Sequence, residues 1–204
     1  MNAADSLTST KAIKLKEQGF TLIEVLVTFL IISIGLLGLA ALQTSTMNDQ
    51  FEAQQRIQLT PMLDDMAARI RNNPEPATLG LYTVAQTSEY GLLEQSNCAL
   101  MTSSTEANSP EDIAARDLCE WNNLLAGAAA RAAAIAVGAP EGTRGCIAPL
   151  STGTAGTTKI RVSVAWQGIV KSVPPTVGCG RGDFGPDEYR RAMYRDVVVQ
   201  NVAS

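Results

Sequence analysis

Glu24 is the residue of this sequence that most needs a chemical explanation. It lies in GFTLIEVLV, inside a run from Phe20 to Leu42 whose other polar members are only Thr21, Thr28 and Ser33. A carboxylate at the centre of a bilayer costs about 2.5–3.5 kcal/mol on insertion scales. A helix start tolerates an acid in its first turn, by about 0.3–1 kcal/mol, and a nearby cation would neutralise it more fully.

Other chemistry is largely excluded. The chain has no histidine, which removes Ser/His/Asp and Cys/His catalysis and every His-containing metal site. No nucleophile with a base can be assembled, and carboxylates scattered over different segments identify no acid/base pair. No enzymatic activity, metal or cofactor is expected. A formal net charge of -4 argues against a general nucleic-acid binder, because neutralising phosphates takes clustered Lys and Arg.

The four cysteines, Cys98, Cys119, Cys146 and Cys179, contain no CxxC. An even count in an exported chain favours two disulfides. Three connectivities are open, and pairing sequence neighbours joins Cys98 to Cys119 and Cys146 to Cys179. In the chain-entropy model each loop contributes about 3–4 kcal/mol. The alternative is four buried reduced thiols.

The element that positions Glu24 is long enough to cross a hydrocarbon core of about 30 Å as a helix. Lys11, Lys14 and Lys16 precede it and uncharged Gln43 and Thr44 follow it, so the N-terminus stays cytoplasmic and the remainder is exported. No small-residue cleavage site follows Leu42; a glycine, Gly19, precedes the run instead. The apolar segment is built to be retained.

GFTLIE, Gly19 to Glu24, followed by a long apolar stretch, resembles the class III signal of type IV pilins and pseudopilins. That resemblance implies cleavage by a prepilin peptidase between Gly19 and Phe20, N-methylation of Phe20, and removal of residues 1–19 as a leader. Glycine suits such a junction because no Cβ obstructs the approach of the peptidase to the backbone. It further implies that Glu24 pairs with the Phe20 amine of a neighbouring subunit during assembly.

DDMAARIRNNP (Asp64 to Pro74), SIGLLGLAALQ (Ser33 to Gln43) and, more weakly, VSVAWQG (Val162 to Gly168), Cys179-Gly180 and the Arg190-Arg191 pair resemble the type IV pilus modification proteins (PilV), a minor-pilin family. The likeness spans residues 14–76 and 145–200. It implies a minor pilin that helps to prime pilus assembly and form the tip complex, in motility or adhesion. Implied partners are other minor pilins, the major pilin, prepilin peptidase, an inner-membrane assembly platform and a tip adhesin. The implied location is the inner membrane, single-pass with a periplasmic C-terminal domain, and then the extracellular pilus. Alternatives are a minor pseudopilin of type II secretion, a DNA-uptake pseudopilin, or a membrane-tethered enzyme or binding protein. The chain lacks the proline that many major pilins carry near the end of the anchor; none occurs before Pro61.

The expected fold is α+β and pilin-like: a long N-terminal helix, a second helix and a small antiparallel sheet. The domains are a leader (1–19), a transmembrane and assembly helix (20–42), the soluble half of that helix (43–76) and a periplasmic globular domain (77–204). Met47, Phe51, Leu59, Met62, Leu63, Met66 and Ile70 keep a helical rhythm, so one helix of about 80 Å should run from Phe20 to Arg71. Thr60 and Pro61 should interrupt or bend it, and Asn72 to Pro76 should stop it. Residues 78–110 read as irregular.

Ser109 and Pro110 open a helix expected to continue through an alanine run to Val137. Strands follow at 145–150, 160–167 and 189–202, the second alternating Ile160, Val162, Val164 and Trp166 with polar or small residues, as a half-buried strand should. Trp121 and Trp166 read as core. The cluster Arg181, Arg190, Arg191 and Arg195 is interleaved with acids and reads as a solvated strand edge. GCGRGDFG lacks the context of a phosphate loop and reads as a glycine-rich turn held by Cys179.

Overall fold

A computed structural model describes residues 19–83, 90–91, 98, 109–127, 131–132, 135–136, 138–151 and 156–200. Almost all of the expected leader, and most of the expected irregular region, lie outside these residues. The chain divides into two compact units, one ending at Ser45 and one beginning at Thr46.

Helix α1 runs from Leu22 to Asn72 without interruption, Pro61 included. The expected break at Thr60-Pro61 is therefore corrected: the lost donor of Pro61 is accommodated, and the Thr60 hydroxyl donates to the Arg56 carbonyl at 2.8 Å. Chain packing on this turn outweighs the local cost, since Leu59, Met62, Leu63, Met66, Ala67 and Ile70 are all buried. Met47 and Phe51 share the helical rhythm but remain 68% and 50% exposed, so the core-facing stripe is shorter than the periodicity predicts. After Asn73 the chain restarts as α2, Pro74–Thr78, because proline is welcome at a first helical position where its missing N–H has no partner to lose.

Helix α3, Pro110–Leu125, starts as its sequence dictates: the Ser109 hydroxyl accepts from the Asp112 N–H, and Glu111 and Asp112 occupy the first turn. Its expected extension to Val137 is wrong. Gly127 adopts φ 87° and its N–H bonds the Leu124 carbonyl, a left-handed helix stop that overrides the propensity of the alanines beyond it. Two-residue strands β1 (Arg131–Ala132) and β2 (Ile135–Ala136) pair there instead.

Strands β3 (Arg144–Leu150), β4 (Thr157–Gln167) and β5 (Arg190–Gln200) form an antiparallel sheet in the order β3-β4-β5. Residues 201–202 of the expected last strand fall outside the described residues. Ile160, Val162, Val164 and Trp166 turn one face of β4 inward, and with Val197 and Val199 of β5 they join the α1 stripe, Trp121 and Leu125 in one core. Each such buried aliphatic side chain contributes about 1.5–3 kcal/mol of transfer free energy. Both tryptophans are buried, and the Trp121 indole N–H donates to the Met62 carbonyl at 2.9 Å. Gly145 is required where β3 meets α3: a Cβ there would lie 2.4 Å from Leu125 Cδ1 and 2.5 Å from the Trp121 ring.

The second face of β4 is less open than a half-buried strand would be. Ser163 and Ala165 are buried too, and Ala165 forms a small second cluster with Cys179 and Phe184. The cause is the segment between β4 and β5, which the Cys146–Cys179 disulfide ties to β3. The other disulfide joins Cys98 to Cys119 of α3.

Candidate functional site

The N-terminal site is built on the start of α1. Gly19 and Phe20 precede the helix, Phe20 is 85% exposed, and a Cβ added at Gly19 would meet no atom within 4 Å. Thr21 caps the helix: its carbonyl accepts from the N–H groups of Glu24 and Val25 at 3.1 and 3.3 Å, and its hydroxyl from Glu24 at 3.4 Å. Thr21 and Glu24 thus have the Thr-x-x-Glu spacing of a capping box. That spacing is a signal in the sequence for Thr21, a residue whose role the reading of Glu24 alone leaves out. The Glu24 side chain is exposed in the first turn, where the helix dipole favours negative charge and its carboxylate is open to a cation from outside the chain.

The wall that follows is apolar and uncovered. Leu22, Leu26, Leu30, Ile34, Leu37 and Leu42 are all more than half exposed, and α1 is long and apolar enough to cross a membrane. Its hydroxyls do not disturb that character: Thr28 donates to the Val25 carbonyl at 2.8 Å and Ser33 to the Phe29 carbonyl at 2.7 Å. Such internal bonds satisfy polar groups where water is absent. Gly35 and Gly38 have no atom within 4 Å of an added Cβ, leaving room for close approach by another helix.

In the second unit three of the four arginines of the expected cluster, Arg190, Arg191 and Arg195, make contacts within the fold. Arg190 is 1% exposed, which corrects its reading as a solvated edge. Its guanidinium donates to the carbonyls of Pro175, Val177 and Cys179 and to the Asp187 carboxylate. This clamp holds the loop that covers β4, and the Arg190 hydrogen bond holds the Asp187 carboxyl below the usual range. Arg191 pairs with Glu52, Arg195 with Asp64, and Arg161 with Asp196. Acids on α1 and the loop therefore pair with Arg190, Arg191 and Arg195, while Arg181 stands exposed in the glycine-rich turn. In GCGRGDFG, Gly180, Gly182 and Gly185 all take positive φ, as a tight turn beside Cys179 requires.

Glu52 is the other residue that sequence reasoning misses. It accepts from Arg191 at 2.8 Å and from the N–H groups of Ile169 and Val170. Burial pushes its carboxyl up, but the bonds from Arg191 and the two backbone groups together hold it below its ordinary value. No local pattern announces a partner 139 residues away. Buried Asp117 accepts from Arg69, Asn73 and Tyr82; burial and the Asp117 carboxylate raise the Tyr82 phenol. Among the described residues no group of acids, cysteines or histidines has the makings of a metal site.

The family model of the prokaryotic N-terminal methylation motif matches residues 14–40. No curated protein and no solved structure matches the chain. The motif match supports a type IV pilin-like or pseudopilin-type protein with a single-pass membrane anchor, and it lies wholly within the first unit.

Proposed function

We propose that this chain is a minor pilin of a type IV pilus, cleaved by prepilin peptidase between Gly19 and Phe20, N-methylated on Phe20, and active in priming assembly and in the tip complex. The observation that carries this reading is the methylation motif on a helix whose large apolar side chains are exposed from Phe20 to Leu42. Such a surface is stable in lipid or against other helices, not in water. Cleavage would place a cationic amine on Phe20, and Glu24 would supply the neutralising carboxylate, on a neighbouring subunit within the fibre. The other partners would be further minor pilins, the major pilin, an inner-membrane platform and a tip adhesin.

Mass spectrometry of the protein recovered from membranes and from sheared fibres tests this. The expected mature chain begins at Phe20 and carries one methyl group; recovery of the intact residues 1–19 in fibres would overturn the proposal. Glu24→Ala should be processed and inserted normally yet be depleted from fibres. Incorporation at the wild-type level would remove Glu24 from the assembly role.

A further inference from the structure

One flank of α1 in the second unit borders a groove of about 900 Å³, within the size range of sites that bury a ligand. Phe51 stands at its wall on the helix side, half exposed, and Phe184 and Tyr189 line the loop side. The aromatic faces that line it attract cations, and two already do so at their margins: the Arg144 guanidinium lies 5.9 Å from the Phe184 ring centroid, and the Lys171 ammonium 5.9 Å from that of Tyr189. Both of these cations are spoken for, Arg144 by Asp183 and Lys171 by Glu188.

Glu141 remains. It lines the groove, is exposed, and makes no ion pair with any described residue. Among the described residues no lysine or arginine lines the groove. Gln55 is also in the wall. Gln54, Gln58 and Gln167 complete a row of amides, which can meet both the N–H and the C=O of a main chain. Uncompensated negative charge at Glu141, aromatic faces and side-chain amides together describe a receptor for a cation carried on a peptide.

We propose that this groove binds a lysine or arginine side chain presented by an extended segment of another protein, with the cation at Glu141 and its apolar stem on Phe51. The inference concerns the second unit alone and does not depend on the pilin reading. A charge-assisted contact at Glu141 supplies selectivity, and the stem of the bound residue packs on the ring as such stems do on apolar surface.

The test uses the full chain in detergent micelles, isotope-labelled and titrated with three acetylated, amidated tripeptides: Ser-Lys-Ser, Ser-Arg-Ser and Ser-norleucine-Ser. The Lys and Arg peptides should shift the resonances of Phe51, Gln55 and Phe184, and the norleucine peptide should not. Glu141→Gln and Phe51→Ala, both at exposed positions, should each weaken binding, the former by about tenfold, while Glu75→Gln, an exposed acid elsewhere, should leave it unchanged. Equal weakening by Glu75→Gln would show general attraction to an acidic protein. Equal binding of the norleucine peptide would show an apolar groove only. Shifts outside the groove, or none at all, would equally overturn the proposal. The N-terminal mass measurement is blind to all of these outcomes, so the two readings fail separately.

Discussion

The two ends of α1 are both apolar, and they differ in what the chain places against them. From Leu22 to Leu42 the large side chains are exposed all round, whereas Leu59, Met66 and Ile70 are 0% exposed. The early stretch is hydrophobic on every face, the mark of a span or of a helix meant for other helices. From Leu59 to Ile70 the large apolar residues form one stripe, and β4, β5 and α3 supply the cover. Hydrophobicity alone therefore does not place a residue in a core; a partner from distant sequence must arrive to cover it.

Substitution at matched positions breaks this comparison most sharply. Met66→Ala should cost about 2–5 kcal/mol in chemical unfolding of the full chain in detergent, against less than about 0.5 kcal/mol for Leu37→Ala. Equal losses would mean that the early stretch is also core. The cover itself is held by Cys146–Cys179, and replacing both cysteines by alanine should cost about 2–4 kcal/mol. Limited proteolysis should then cut first between Gly168 and Gly185, the loop that lies over Ala165; protection of that loop would show that the Arg190 clamp suffices.

Asp117 fastens α3 to α1 through Arg69, to the start of α2 through Asn73 and to the segment after α2 through Tyr82. Asp117→Ala should cost about 1–3 kcal/mol by stranding these donors, the low end applying because Arg69 keeps Asp65 and Glu120. The smallest effect concerns acid. Glu52 and Asp196 are both depressed in the fold, below their ordinary values of 4.5 and 3.8. For Asp196 the Arg161 hydrogen bond is the main cause. A depressed carboxyl stabilises the fold above its unfolded value, and that contribution is lost as pH falls through the folded one. Thermal unfolding should therefore soften below the ordinary glutamate range, and Glu52→Gln should flatten the Glu52 share of that slope. An unchanged slope would remove Glu52 as a clip between α1 and the β4–β5 loop.

Much of the local architecture was readable from residue order. Ser109 and Pro110 announce α3, and alternation announces β4. Where the reading failed, a competing term had won. Gly127 stopped a helix that alanine propensity would extend, and buried packing carried α1 through Pro61. Arg190 looked like a surface charge because nothing nearby in sequence shows that three carbonyls of the preceding loop will surround it.

The sequence by itself determined the features that depend on neighbours along the chain: Gly19 and Phe20 ahead of the helix with Glu24 in its first turn, the cap at Thr21, the length of the apolar run, and the strand period. These follow from helix geometry, local hydrogen bonding and side-chain type, which act within a few residues. Only the tertiary structure decided which half of α1 is covered, that Glu52 meets Arg191, that Ala165 is buried on the second face of the sheet, and that Glu141 and Phe51 border one groove. Those depend on contacts between segments that are separate along the chain, by 139 residues for Glu52 and Arg191, whose free energy exists only once the chain has closed upon itself.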